Sequence, residues 1–248
     1  MSVGASQREE RLGAWLFRYR SYLPPLLLVI LGLALVDGRG HRTAPGLDAR
    51  FLALGLIPTA IGFAIRAFVV GTAPKGTSGR STVVQVAETL NTSGLYSVVR
   101  HPLYLGNFLL WIGLATTTGV WWAPPVIALA FILIYRPIVA TEEAFLARAF
   151  GGQFAEWAAV TPGFVPNVRR WRPPGLPFVL TIVLRQEYYG FFTVVLFLVI
   201  LELTATITSG GGLRLGRAWV VVLAVTSIAA GLFRWLQRNT SVLDVDGR

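Results

Sequence analysis

Cysteine is absent from the 248 residues, and histidine occurs only twice. The first absence excludes disulfides, thiolate catalysis, zinc–thiolate sites and iron–sulfur clusters. The second leaves too few imidazoles for a His-built metal centre, so no metal is expected. Charge is scarce as well: 14% of residues are Asp, Glu, Lys or Arg, against about 25% in an average soluble domain. With 54% hydrophobic residues and a mean hydropathy of +0.61, the chain lacks the polar residues to cover a globular surface. It reads as an integral membrane protein. The 22 basic residues outnumber the 12 acidic ones, for a net charge of +10. They sit between apolar runs, as flank anchors do, so nucleic acid is not the expected partner.

Apolar runs place six spans, at 21–36, 51–70, 103–119, 123–138, 188–208 and 218–236. The run 51–70 is 20 residues, about 30 Å as a helix, which matches a hydrocarbon core. The first run is short and contains Pro24 and Pro25. The expected class is all-α: a polytopic helical membrane protein of about six transmembrane spans plus amphipathic interfacial helices. No small-residue cleavage site follows an apolar stretch at the N-terminus, so no removable signal peptide is expected. With the N-terminus cytoplasmic, 17 of the 22 Lys and Arg fall in cytoplasmic segments and 5 in the loops 37–50 and 209–217. That asymmetry favours both termini inside. The near-total choice of Arg over Lys, with Lys75 alone, suits a G+C-rich bacterial genome and hence the bacterial cytoplasmic (inner) membrane.

Segment 71–82 is rich in Gly, Ser and Thr and reads as a loop, and 83–90 as a short helix. The breaker from Trp171 to Gly175, with Pro173 and Pro174 inside it, divides the chain. Before it lies a core, 1–170, whose informative blocks are 85–107 and 142–166. After it, 171–248 forms an extension with two further spans.

Chemistry concentrates at one end of the 103–138 hairpin. Pro102 suits the first turn of a helix, where its missing N–H costs nothing. Arg100 and His101 then flank a helix N-terminus, whose unpaired N–H groups and partial positive charge attract an anion. Gly106 allows close approach of another backbone or a ligand. The next span returns to the same side near Arg136, and Glu142 and Glu143 follow, a pair suited to a cation. Together the two ends fit a small zwitterion, such as an amino-acid-like ligand with a sulfonium. Leu146, Phe150, Phe154 and Trp157 form a helical stripe over 144–159, either packing or a cap on the site. The plainer readings are an interfacial anchor for Arg100 and His101 and a helix-start dipole role for the glutamates. Arg66 reads as a snorkelling arginine. Glu202, inside a span, is a functional candidate, or else it pairs with a polar residue of another span or sits near the outer interface.

The run from Gly94 to Gly106, with Tyr96, Arg100, His101, Pro102 and Tyr104 at fixed spacing, is followed by Glu142, Glu143, Leu146, Phe150 and Gly151. This two-block pattern closely resembles the isoprenylcysteine carboxyl methyltransferase family and the related phospholipid methyltransferases, over about 85–166. The resemblance implies an integral-membrane, S-adenosylmethionine (SAM)-dependent methyltransferase. Its cofactor site would comprise Thr89, Leu90, Asn91, Tyr96, Arg100, His101, Pro102, Leu103, Tyr104, Glu142 and Glu143. Glu142 and Arg136 are the catalytic candidates it offers. In that family an arginine four residues before the glutamate faces the substrate carboxylate. Here that position is Ile138, with Arg136 two residues earlier, about 200° around a helix. The implied partner is a lipophilic acceptor entering from the bilayer: a lipid, an isoprenoid or another hydrophobic small molecule. Two alternatives remain. Sterol-type membrane reductases carry a similar R-H-P-x-Y-x-G and use NADPH. A non-enzymatic helical transporter or scaffold would account for Glu202 and the last spans.

Overall fold

The computed structural model describes residues 15, 23–41, 44–74, 89–243 and 245. The possible helix at 83–90 falls mostly outside them, as do 16–22, where the first span could have begun. Seven α-helices follow in chain order among the described residues: α1 (Leu23–Asp37), α2 (Ala49–Thr72), α3 (Pro102–Thr117), α4 (Ala123–Phe150), α5 (Gly152–Val160), α6 (Leu180–Thr208) and α7 (Arg217–Asn239). No strand is present among the described residues; a single isolated bridge joins Gly94 to Arg172. The protein is a polytopic helical membrane protein, and a helix stands at each of the six expected spans. Four of them, α2, α4, α6 and α7, are long and apolar enough to cross a membrane. The shorter α3 is 16 residues and buries Gly106, Leu110, Trp111, Gly113 and Leu114 inside the bundle.

Local chemistry sets the helix boundaries. Asp48 caps α2, its carboxylate accepting from the Arg50 N–H at 2.8 Å. Pro102 opens α3, where proline costs no hydrogen bond. α4 runs to Phe150 and stops at Gly151, whose φ of 51° lies in the region that favours glycine. Two expectations fail here. The stripe over 144–159 is not one helix, because Gly151 divides it between α4 and α5. The glutamates are not at a helix start either. Glu142 and Glu143 sit two turns before the C-terminal end of α4, where a helix dipole gives no reason for acids.

The crossing of α2 and α3 is the closest in the bundle. A Cβ on Gly55 would lie 2.5 Å from the Gly113 carbonyl oxygen, and one on Gly62 would lie 2.7 Å from that of Gly106. The two antiparallel helices thus touch backbone to backbone at two points seven residues apart. In lipid, where burial of apolar surface brings helices no closer, such small-residue contact drives association. Gly106 admits a neighbouring backbone, as its sequence position suggests.

One core joins both halves of the chain. Leu31 and Leu35 of α1, Leu114 of α3, Ile127 and Phe131 of α4, and Leu198 and Leu201 of α6 are buried in a single cluster. α6 begins at Leu180, eight residues before the apolar run suggests. The extra turns carry Arg185 and Glu187, which apolar content alone rejects. α7 packs on α6 and leaves Val221, Val225, Ile228 and Trp235 exposed.

The two ends of the bundle are distinct. At one, Trp122 Nε1 donates to Asp37 at 2.9 Å, and the Leu47 N–H donates to Glu202 Oε2 at 2.8 Å. Glu202 thus accepts from the backbone of the turn leading into α2, not from a polar residue of another span. At the other end lie the C-terminus of α2, the N-terminus of α3, the second half of α4 and residues 161–179.

Candidate functional site

The segment 93–100 is held in place by the chain beyond α5. The Arg100 N–H donates to Pro162 O at 2.8 Å, Asn167 N–H to Val98 O at 2.9 Å, and Gly94 N–H to Arg172 O at 3.0 Å. Arg172 N–H also donates to Ser97 Oγ at 2.9 Å, and Trp157 Nε1 to Tyr96 O at 3.0 Å. The breaker at 171–175 therefore folds back over the first block rather than leading away from it. Pairing of this kind leaves no periodic trace in a sequence. The unusual run of Trp, Arg and Pro is its only signal.

Within this frame the two blocks meet. His101 is buried at the N-cap of α3. Its Nε2 lies 2.8 Å from Glu143 Oε1, and its Nδ1 lies 4.0 Å from Glu142 Oε2. Arg100 Nε also donates to Glu143 Oε1, at 2.8 Å. The basic end of α3 and the acidic pair of α4 share one end of the hairpin, as their charges suggest.

Their division of labour differs from the sequence reading. Arg100, expected to face an anion, instead donates to Glu143, to Ala158 O at 2.9 Å and to Thr161 O at 2.7 Å. The carboxylate supplied by α4 satisfies the charge first, and the carbonyls at the end of α5 take the remaining donors. Arg100 is thus a latch between α3, α4 and the 158–161 turn. Glu143 is engaged by Arg100 and His101 together. Glu142 is the contrast. Its Oε2 is buried and has no hydrogen-bond partner among the described residues. A buried carboxylate oxygen without a donor costs free energy unless something cationic or hydrogen-donating reaches it.

Tyr96 and Tyr104 complete the surroundings. Burial, and after it the negative charge of Glu142, push the Tyr96 phenol well above its ordinary range. It keeps its proton and stands as a donor beside the carboxylate. The Tyr104 ring lies 5.9 Å from His101 and 5.3 Å from Tyr135. Tyr135 in turn stacks on Phe131 at 3.9 Å. An aromatic column thus descends from the polar cluster toward the core between α3 and α4. Pro102 is fully buried, and Leu103 is partly buried beside it.

The other candidates stand apart. Thr89 is exposed and Leu90 partly buried. Asn91 turns on itself, its Oδ1 accepting from Ser93 N–H at 3.2 Å. Arg136 is exposed on α4 and makes no ion pair among the described residues. It lies six residues from Glu142, about 240° around the helix. Ile138 is fully buried, so the position four residues before Glu142 is apolar. An open depression of about 650 Å³ lies beyond Arg100, lined by Thr161, Asn167 and Arg170 among others, and neither His101 nor Glu142 lines it.

Arg66 does not snorkel, contrary to its sequence reading. Its Nε and Nη2 donate to the two oxygens of Glu187, at 2.8 and 2.9 Å, and its Nη1 donates to Asn107 Oδ1 at 2.6 Å. A buried carboxylate on α6 is a closer counter-charge than the interface.

Residues 50–153 match the phospholipid methyltransferase family model. That match covers 104 of the 248 residues. The match begins in α2, includes the first motif block and ends within the second, at residue 153. Among curated relatives, the cobalt-zinc-cadmium resistance protein CzcN of Cupriavidus metallidurans is 48% identical over 34% of this chain and 38% of its own length. The nickel-cobalt-cadmium resistance protein NccN of Alcaligenes xylosoxydans xylosoxydans is 29% identical over 65% of this chain and 71% of its own. Protein-S-isoprenylcysteine O-methyltransferase B of Arabidopsis thaliana is 36% identical over 32% of this chain and 40% of its own. The chain thus spans well under half the length of the first and third of these. No solved structure matches. The matched region contains His101, Glu142 and Glu143; α6 and α7 lie outside it.

Proposed function

We propose that this protein is an integral-membrane, SAM-dependent methyltransferase acting on a lipophilic acceptor. The observation that carries the reading is the buried, donor-less oxygen of Glu142, 4.0 Å from His101. The residues present fit SAM, whose ammonium and sulfonium are cations that such an oxygen would hold. When bound, SAM supplies an already activated methyl group, so the protein's task is mainly positioning.

Each side chain then has a part. Glu142 offsets positive charge in an apolar setting. His101 is oriented by Glu143, and Tyr96 offers a protonated phenol. Pro102, Leu103 and Tyr104 form the first turn of α3, whose partial positive charge suits a carboxylate. Thr89, Leu90 and Asn91 form the approach to this turn. Arg100 keeps the blocks together. For an amine or hydroxyl acceptor, a base is needed, and Glu142 or Glu143 is the candidate. Arg136, exposed and turned away, is assigned no catalytic step.

The acceptor enters from the bilayer and is a lipid, an isoprenoid or another hydrophobic small molecule. The buried Ile138 disfavours an acceptor recognised through a carboxylate, because no cation stands at that position. The site faces the cytoplasm of a bacterial inner membrane, with both termini on that side; the excess of Lys and Arg on the segments at the site's end supports this.

The test is to incubate the detergent-purified protein with methyl-labelled SAM and a total lipid extract. Transfer of label to one extractable species, identified by mass, is the expected result. No transfer from SAM, together with oxidation of NADPH by the same extract, would replace this reading with the reductase one.

A further inference from the structure

α6 lies outside the region matched by the family model, yet it contributes one carboxylate to the turn before α2 and another to α2 itself. At the end away from the site, Glu202 accepts from the Leu47 N–H at 2.8 Å. At the site's end, Glu187 accepts both forked donors of Arg66. The two helices run antiparallel, so α6 holds the turn that enters α2 and, toward the other end, α2 itself. The second grip reaches further. The third arm of Arg66, Nη1, holds Asn107 Oδ1 at 2.6 Å. The Arg66 stem lies against Gly106, whose Cβ, if it existed, would lie 2.7 Å from Arg66 Cγ. Asn107 follows Gly106 on α3, one turn beyond Tyr104 and less than two turns from His101. A continuous polar path therefore runs from α6 through one guanidinium to the helix that carries the site.

The pair is costly to break. The side chains of Arg66 and Glu187 are 19% and 8% exposed within a chain whose surroundings are lipid. A lone charge there is expensive, and a planar two-point pair is the geometry that offsets it best. Arginine fits where lysine would not, because one flat group satisfies a carboxylate and an amide at once. Without Glu187 the guanidinium has reason to leave for the membrane interface. Asn107 would then lose its donor, and the space against Gly106 would open.

We infer that Arg66 is a positioning residue for the first turns of α3, set by Glu187 of α6, so that α6 is a working part of the methyl-transfer site. The ligand arm of the test rests on the proposed function; the labelling arm does not. Asn107→Leu leaves the Arg66–Glu187 pair intact, and Glu187→Gln removes its charge. Both are purified in the cysteine-free chain of 248 residues. S-adenosylhomocysteine binding is measured by titration calorimetry, alongside thermal unfolding. In parallel, Leu103→Cys introduces a single thiol, which reports on α3 through its rate of reaction with a water-soluble maleimide.

The expected result is affinity weakened by at least about tenfold in both variants, with Asn107→Leu unfolding near the parental temperature and the introduced thiol labelling faster in both. Arg66→Lys keeps the charge but loses the fork, and should match Asn107→Leu in affinity. Equal affinity per folded molecule, with unchanged labelling, would reduce the pair to a structural tie and overturn the inference. If the parental chain fails to bind the ligand, the proposed function falls, and the labelling rates alone decide: faster supports the inference, unchanged refutes it.

Discussion

Replacing Gly55 with Ala places one methyl group where α2 meets α3. The added Cβ would lie 2.5 Å from the Gly113 carbonyl oxygen, 2.5 Å from Thr117 Cγ2 and 2.9 Å from the Thr117 nitrogen. Ordinary contact begins at 3.4 Å, so the helices must part by about 0.9 Å at this point. Two of the three obstacles are backbone and cannot rotate away. Overpacking of this kind costs about 1–3 kcal/mol, and here it also loosens the contact at Gly62 and Gly106. Gly231→Ala is the matched control: it lies inside α7, with nothing within 4 Å of the new Cβ. That change should be neutral or stabilising by up to about 1 kcal/mol. Tryptophan fluorescence during thermal unfolding in detergent reads the difference. Gly55→Ala is expected to melt several degrees lower, at about 2–4 °C per kcal/mol for a chain of this size. If Gly55→Ala were as stable as Gly231→Ala, the backbone-to-backbone crossing would be refuted.

Further outcomes follow from the polar contacts. Arg100→Ala removes three hydrogen bonds and strands the Thr161 carbonyl. Discounted for partial exposure, the loss should be about 2–4 kcal/mol, seen as a lower melting temperature and faster proteolysis in the 158–172 segment. Unaltered stability would return Arg100 to the role of a free anion receptor. Glu202→Ala deprives the Leu47 N–H of its acceptor and should cost about 1–2 kcal/mol. Because Glu202 sits at the far end of the bundle, SAM affinity should stay within about twofold, and a large loss would contradict that placement.

The apolar runs make the helical class legible, because lipid demands long stretches without charge. They fail where charge is neutralised inside the bundle. α6 starts eight residues earlier than its run because Glu187 is paired with Arg66, and no local pattern announces a partner 121 residues away. The end of α4 is hidden for a similar reason. Glu142 and Glu143 look like the start of a new helix, but they are the polar face of a long one. The meeting of His101 with the two glutamates is legible, since hairpin geometry returns a chain to the same side. Which glutamate is engaged is not. Arg100 and His101 converge on Glu143, and only side-chain positions reveal that Glu142 is the one left with an open oxygen. The fold-back of 162–175 over 93–100 is marked only by the run of Trp, Arg and Pro at 171–174, because irregular pairing carries no period.

The most direct test of the central claim is titration calorimetry of SAM against the purified chain and two variants, Glu142→Gln and His101→Ala. Measurable binding by the parental protein, weakened by at least about tenfold in each variant, is the predicted result. Unchanged affinity in both variants would contradict the assignment of the site.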